Sequence, residues 1–137
     1  MRYFIDSNIF IRTLNNENEL IFLECVALLN CIKYNQIEAY SGTVVLSEVA
    51  WTLNSFYKIE KKNISEGLRS IINISGLRIV DDYNHPLALD LYEKHSIKYI
   101  DALIASIDDV YSKNMTVISY DHDFDKLPVR RKEPKAI

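Results

Sequence analysis

Tyr3-Phe4-Ile5-Asp6-Ser7-Asn8-Ile9-Phe10-Ile11-Arg12-Thr13-Leu14 is the stretch on which the fold turns. Tyr3-Phe4-Ile5 is a short β-rich run. Asp6-Ser7-Asn8 stops it and offers helix caps to Ile9 through Leu14, because short side-chain oxygens satisfy the amides that a helix start leaves free. A strand that hands over directly to a helix is the unit of an α/β chain. The same unit recurs downstream.

Asn15-Asn16 breaks the first helix. From Glu17 to about Tyr34, Phe22, Cys25, Val26, Leu29 and Ile32 recur at helical spacing. Ala39-Tyr40-Ser41 forms a second strand ending near Gly42. A helix from about Val44 to Tyr57 then lines up Leu46, Val49, Ala50, Leu53 and Tyr57. Lys58 to Lys62 is a charged loop, Ser65 opens a helix carrying Leu68, Ile71 and Ile72, and Gly76 ends it. Leu77-Arg78-Ile79-Val80 is the third strand. Pro86 suits the first turn of a short helix through His95. One longer helix follows, with Ile100, Leu103, Ile104, Ile107 and Tyr111 on one face, and Asn114 closes it. Thr116-Val117-Ile118-Ser119 is the fourth strand. This alternation predicts one α/β domain over residues 1–137 with a mostly parallel sheet, whose ligand crevice lies beyond the carboxyl ends of its strands.

Composition agrees. The 137 residues are 48% hydrophobic and 26% charged, which excludes disorder and low complexity and supports a core without staples. Three glycines and three prolines are too few for a turn-rich β-sandwich. A net charge of −3 opposes nucleic-acid binding by bulk positive charge, yet is compatible with a nuclease whose active site is acidic. Cys25 and Cys31 fall on one helix, roughly 9 Å apart along its axis, too far for a disulfide, and are expected as core thiols. The first residues carry an acid at position 6 and no apolar leader. No run approaches the roughly 18 apolar residues of a membrane span, so a cytoplasmic protein is expected.

Asp6 follows the first strand and Asp121 comes two residues after the fourth, in Ser119-Tyr120-Asp121-His122-Asp123-Phe124-Asp125. Glu48 and Asp101 sit near helix starts that can open on the same rim. Singly, each has an ordinary explanation as a cap, a dipole partner or a turn residue. Glu48, however, has Val44 and Trp51 on its own face, and Asp101 borders an apolar stripe, so both are expected half-buried and in need of partners. No basic partner is apparent nearby. Carboxylates sharing a pocket without one require a cation, and oxygen donors without a Cys/His set favour Mg²⁺ or Mn²⁺. Such a metal supports hydrolysis of a phosphodiester.

Asp6-Ser7-Asn8, Ser47-Glu48-Val49, Asp101-Ala102-Leu103-Ile104-Ala105 and Ser119-x-Asp121-x-Asp123-Phe124 resemble, in order, the successive motifs of PIN-domain ribonucleases. The likeness is greatest to VapC-type toxins of toxin–antitoxin pairs. It covers nearly the whole chain. The resemblance implies a PIN-like parallel sheet of four or five short strands with helices on both sides. It implies that Asp6, Glu48, Asp101 and Asp121 are catalytic metal-binding acids, with Asp123 a fifth ligand and Ser7, Asn8 and Ser119 supporting polar residues. Asp121, Asp123 and Asp125 compete for the last acidic role. RNA is the implied substrate, and a homodimer and a cognate antitoxin are the implied assembly.

Arg12, Lys98, Lys126, Arg130 and Arg131 are candidate phosphate contacts, although Arg130-Arg131-Lys132 also fits a frayed tail. Tyr99 and Tyr120 are the tyrosines expected near the site, and His122 lies among its acids. Two rivals remain. Asp81-Asp82 after a strand superficially suits a receiver-type phosphoacceptor module, and a catalytically idle PIN-like binding module would share the fold.

Overall fold

Arg2–Ile5 forms β1, buried from Tyr3 onward, and Asp6 turns the chain straight into α1 (Ser7–Leu14). The computed structural model describes residues 1–137. Asp6 is the extended cap of α1, and its carboxylate accepts from the Ser7 amide. Asn18 caps α2 (Glu19–Lys33) in the same way, through the Ile21 amide. β2 (Glu38–Ser41) then leads through Gly42 into α3 (Thr43–Ser55). Gly42 has no side chain to cap with, and Asp81 does so from a distance. It accepts from the Thr43 amide at 2.7 Å and the Thr43 hydroxyl at 2.6 Å.

The chain continues through α4 (Lys61–Ile72), β3 (Leu77–Ile79), α5 (His85–Lys94), α6 (Tyr99–Ala105), α7 (Asp108–Tyr111) and β4 (Met115–Ile118). A 3₁₀ turn (His122–Lys126), β5 (Arg131–Lys132) and a second 3₁₀ turn (Pro134–Ala136) complete it. All neighbouring strands are parallel, in the order β3-β2-β1-β4-β5. The chain walks outward from β1 to β3, and α5 to α7 then carry it back to place β4 on the other side of β1. Right-handed crossovers therefore put α1 to α4 on one face and α5 to α7 on the other. Phe4, Phe10, Val117 and Phe124 are fully buried in the core between them.

Three local expectations change. The single long helix after His95 is instead α6 and α7. Ser106 donates its hydroxyl to the Leu103 carbonyl at 2.7 Å and accepts from the Asn84 amide at 3.1 Å, and Ile107 then turns extended at φ −60°, ψ 127°. α4 starts at Lys61 rather than Ser65. The basic tail is not frayed: Arg131 and Lys132 pair with Val117 and Ile118 of β4, and Pro134 is buried. No helix is long and apolar enough to cross a membrane.

Candidate metal centre

The order in which strands are added reverses between the parallel neighbours β1 and β4, and a crevice opens at the carboxyl ends of such a pair. Asp6 and the segment Ser119 to Asp123 meet there. Asp6 is buried, with Oδ1 accepting from the Ser7 amide at 2.8 Å and Oδ2 accepting from Ser119 Oγ at 2.7 Å and Asn8 Nδ2 at 3.2 Å. Ser119 Oγ also accepts from Asn8 Nδ2 at 2.8 Å and from the Asp121 amide at 2.9 Å, which uses its full donor and acceptor capacity. Asn8 Oδ1 accepts from the Tyr120 amide at 3.1 Å. Ser7, Asn8 and Ser119 thus tie the loop after β1 to the loop after β4. Burial raises the Asp6 carboxyl to about 6, against the lowering effect of the Ser119 and Ser7 bonds.

Glu48 reaches the same place from the second turn of α3. It is half-buried and accepts from the Ser7 hydroxyl. The neighbour expected to shield it, Trp51, is exposed instead. Asp101 lies in the first turn of α6 and is 1% exposed, more deeply buried than its place on the helix edge suggests. Its Oδ2 has no hydrogen-bond partner. Burial raises the Asp101 carboxyl to about 7, Lys98 opposes this, and Asp6, Asp121 and Glu48 add to it.

Asp101, Asp121 and Asp123 each place a carboxylate oxygen within 4.8 Å of the others. Asp125, the third competitor on that loop, turns away. Its oxygens accept from Arg131 Nε at 2.9 Å and Nη2 at 3.1 Å.

The acids are not without cations, contrary to the sequence expectation. Lys98 Nζ stands 3.4 Å from Glu48 Oε2 and 3.7 Å from Asp121 Oδ2. Burial alone would lower its pKa, but Asp101, Glu48, Asp121 and Asp6 together raise it. Lys126 Nζ lies 2.9 Å from Asp123 and donates to the Ser96 carbonyl at 3.0 Å. Sequence reasoning had both lysines as phosphate contacts and missed that they face the carboxylates. No spacing along the chain signals it, because Lys98 is the extended cap of α6 and pairs with Glu48, 50 positions away, and with Asp121.

The other basic candidates lie elsewhere. Arg131 donates to Asp125 and to the Ser119 carbonyl, Arg12 pairs with Glu17 at 3.6 Å, and Arg130 is exposed just before β5. Tyr120 contributes its amide to the site, but its hydroxyl turns to α2 and donates to Glu24 at 2.9 Å. Tyr99 packs edge-on against Tyr92. His122 faces Asp125. Asp81, half of the pair that suggested a receiver module, is occupied as the cap of α3 and by the Tyr83 hydroxyl.

The donor set fits a hard divalent cation. Asp101, Asp121 and Asp123 come together with oxygen donors only, and a buried oxygen of Asp101 lacks any partner. Glu48 joins Asp121 through Lys98, and Asp6 is held apart by Ser7, Asn8 and Ser119.

A family model described as PIN domain matches residues 3–129. No curated protein matches the chain in sequence. Among solved structures, the chain is similar to VapBC2 from Rickettsia felis bound to a DNA fragment from its promoter. They are 22% identical with a TM-score of 0.67, over 97% of this chain and 98% of that one. PAE2754 from Pyrobaculum aerophilum is 11% identical with a TM-score of 0.69, over 99% of this chain and 91% of that one. At such identities the likeness is one of fold.

Proposed function

The chain belongs to the PIN-domain family, whose members are generally nucleases, and we propose that it is an endoribonuclease that hydrolyses RNA phosphodiester bonds with Mg²⁺ or Mn²⁺. The observation that carries this reading is the unpartnered, buried Oδ2 of Asp101 beside the Asp121 and Asp123 carboxylates. A buried carboxylate oxygen without a partner is costly, and at a pH above its raised titration range a bound cation relieves it.

In this reading Asp6, Glu48, Asp101 and Asp121 are the catalytic acids, and Asp123 is a further metal ligand. A divalent cation held there supplies Lewis acidity toward phosphate and activates water. Ser7, Asn8 and Ser119 hold Asp6 and Glu48 in position. Lys126, beside Asp123, brings positive charge to where the substrate phosphate arrives. The fold shared with VapBC2 supports the role of toxin in a toxin–antitoxin pair, with a cognate antitoxin as partner. A cytoplasmic location goes with this reading. Exposed Leu20, Leu23, Trp51 and Phe56, all in the part of the chain on the α1 to α4 face, leave apolar surface that a twofold homodimer would cover.

RNA cleavage with defined divalent ions tests the reaction. It should require Mg²⁺ or Mn²⁺ and stop with EDTA. Asp6→Asn and Asp101→Asn should each lower the rate by roughly three orders of magnitude or more while circular dichroism shows an intact fold. Near wild-type cleavage by a folded variant removes that residue from the catalytic set. Metal binding without cleavage of any RNA would favour the idle module.

A further inference from the structure

Lys98 stands immediately before α6, and its ammonium bridges two carboxylates from different parts of the fold. Glu48 comes from α3 and Asp121 from the loop after β4, at 3.4 Å and 3.7 Å. Neither acid has another ion-pair partner. The Lys98 side chain is 55% exposed, whereas Arg131 in the neighbouring ion pair is 10% exposed. Arg131 is held by a fork of hydrogen bonds. Lys98 reaches in from solvent on a flexible stem, at distances beyond a good hydrogen bond for one of its contacts.

Resting on the metal-dependent reading above, we infer that Lys98 is a tethered counter-ion that competes with the divalent cation for Glu48 and Asp121 and swings outward when the cation binds. The physical basis is that two cations drawing on the same carboxylates repel each other, and the more weakly held one yields. An ammonium at 3.4 and 3.7 Å from oxygens of two half-buried acids is such a partner. Its release regains the hydration that burial beside the acids takes from the ammonium. Asp101 Oδ2, which Lys98 does not satisfy, has no hydrogen-bond partner and remains open to an added cation. Lys98 thereby keeps α3 and the loop after β4 from repelling each other and sets the metal affinity of the site. It is a positioning residue in this sense.

Calorimetric titration of Mn²⁺ into the wild type and into Lys98→Met and Lys98→Gln tests this directly. Both variants should bind Mn²⁺ at least fivefold more tightly, because a competing positive charge has gone. Acetylation footprinting by mass spectrometry supplies a second readout on the unaltered protein. The Lys98 amine should become several-fold more reactive when Mn²⁺ is added, while exposed Lys62 stays constant and Asp101→Asn shows no such response. Unchanged or weaker Mn²⁺ binding by both Lys98 variants, beside normal binding by the wild type, overturns the inference and leaves the metal-dependent reading standing. Absence of Mn²⁺ binding by the wild type overturns both.

Discussion

Asp123 and Asp125 stand two residues apart on one 3₁₀ turn, yet they belong to opposite kinds of electrostatic environment. Asp125 accepts two hydrogen bonds from the Arg131 guanidinium, at 2.9 and 3.1 Å, with His122 at 3.1 Å. The Arg131 bond is the main reason its carboxyl sits below the ordinary aspartate value. Asp123 points the other way, to Asp101 and Asp121, where burial and mutual repulsion push the Asp101 carboxyl up to about 7. One side of the turn is a closed bidentate pair that anchors β5. The other is a cluster of carboxylates beside Lys98 and Lys126, with an oxygen of Asp101 that has no hydrogen-bond partner. Satisfied charges hold a fold together, whereas unsatisfied charges cost stability and leave capacity to bind.

The largest effect should come from relieving the strained side. The Asp101 carboxyl titrates near 7 in the folded chain and near 4 when unfolded. The folded state therefore holds that proton more tightly, and stability should fall as pH rises from about 4 to about 7. Asp6, at about 6, acts with the same sign. In EDTA at pH 8, Asp101→Asn should be more stable than the wild type by about 2–4 kcal/mol, and the gap should close toward pH 4. Excess Mg²⁺ should narrow it as well, by stabilising the wild type more than the variant. Denaturant melts across this pH range measure it. A wild type more stable than Asp101→Asn at pH 8 in EDTA breaks the contrast.

The satisfied side should respond with the opposite sign. Arg131→Gln removes the donors to Asp125 and the Ser119 carbonyl from a side chain that is only 10% exposed. It should cost about 2–3 kcal/mol, since a partly buried charge-assisted network loses its centre. The folded variant should still cleave RNA within a few-fold of wild type. Asp125→Asn should cost less, because Asp125 is half exposed and screened. Its contribution is present above pH 4 and lost as pH falls through its lowered folded value.

A smaller effect sharpens the comparison at its boundary. Ser119 lies between the two sides, with its hydroxyl serving Asp6, Asn8 and Asp121 and its carbonyl accepting from Arg131. Ser119→Ala should cost about 1–2 kcal/mol of stability. It should also raise the Asp6 carboxyl further, because the Ser119 bond lowers it. The acid limb of the pH–rate profile should accordingly move to higher pH. A profile that does not move would show that Ser119 is only structural.

Much of the site was legible along the chain because its chemistry is local. Asp6-Ser7-Asn8 announces both the end of β1 and the cap of α1, and these two local roles place Asp6 at the carboxyl end of a strand. Asp101 in the first turn of α6 and Asp121 after β4 follow from periodicity in the same way. Burial was less legible. Asp101 borders its apolar stripe, and only the packing of α5, α7 and the 3₁₀ turn around α6 closes the remaining side. Trp51 seemed to cover Glu48, but a helix face says nothing about how far a neighbouring ring is turned outward.

By itself, the sequence determined the succession of strands and helices, the parallel sheet, and the acids at strand ends and helix starts. Those features depend on residues within a few positions of one another, where spacing and capping decide the outcome. Only the tertiary structure decided which charge meets which. It brought Lys98 to Glu48 across 50 positions, sent Asp125 to Arg131 while Asp123 turned to Asp101, and paired the basic tail with β4 as a fifth strand. An ion pair forms between any opposite charges that the backbone delivers within a few ångströms. Where a charge is delivered depends on the packing of the whole core, and no local pattern along the chain carries it.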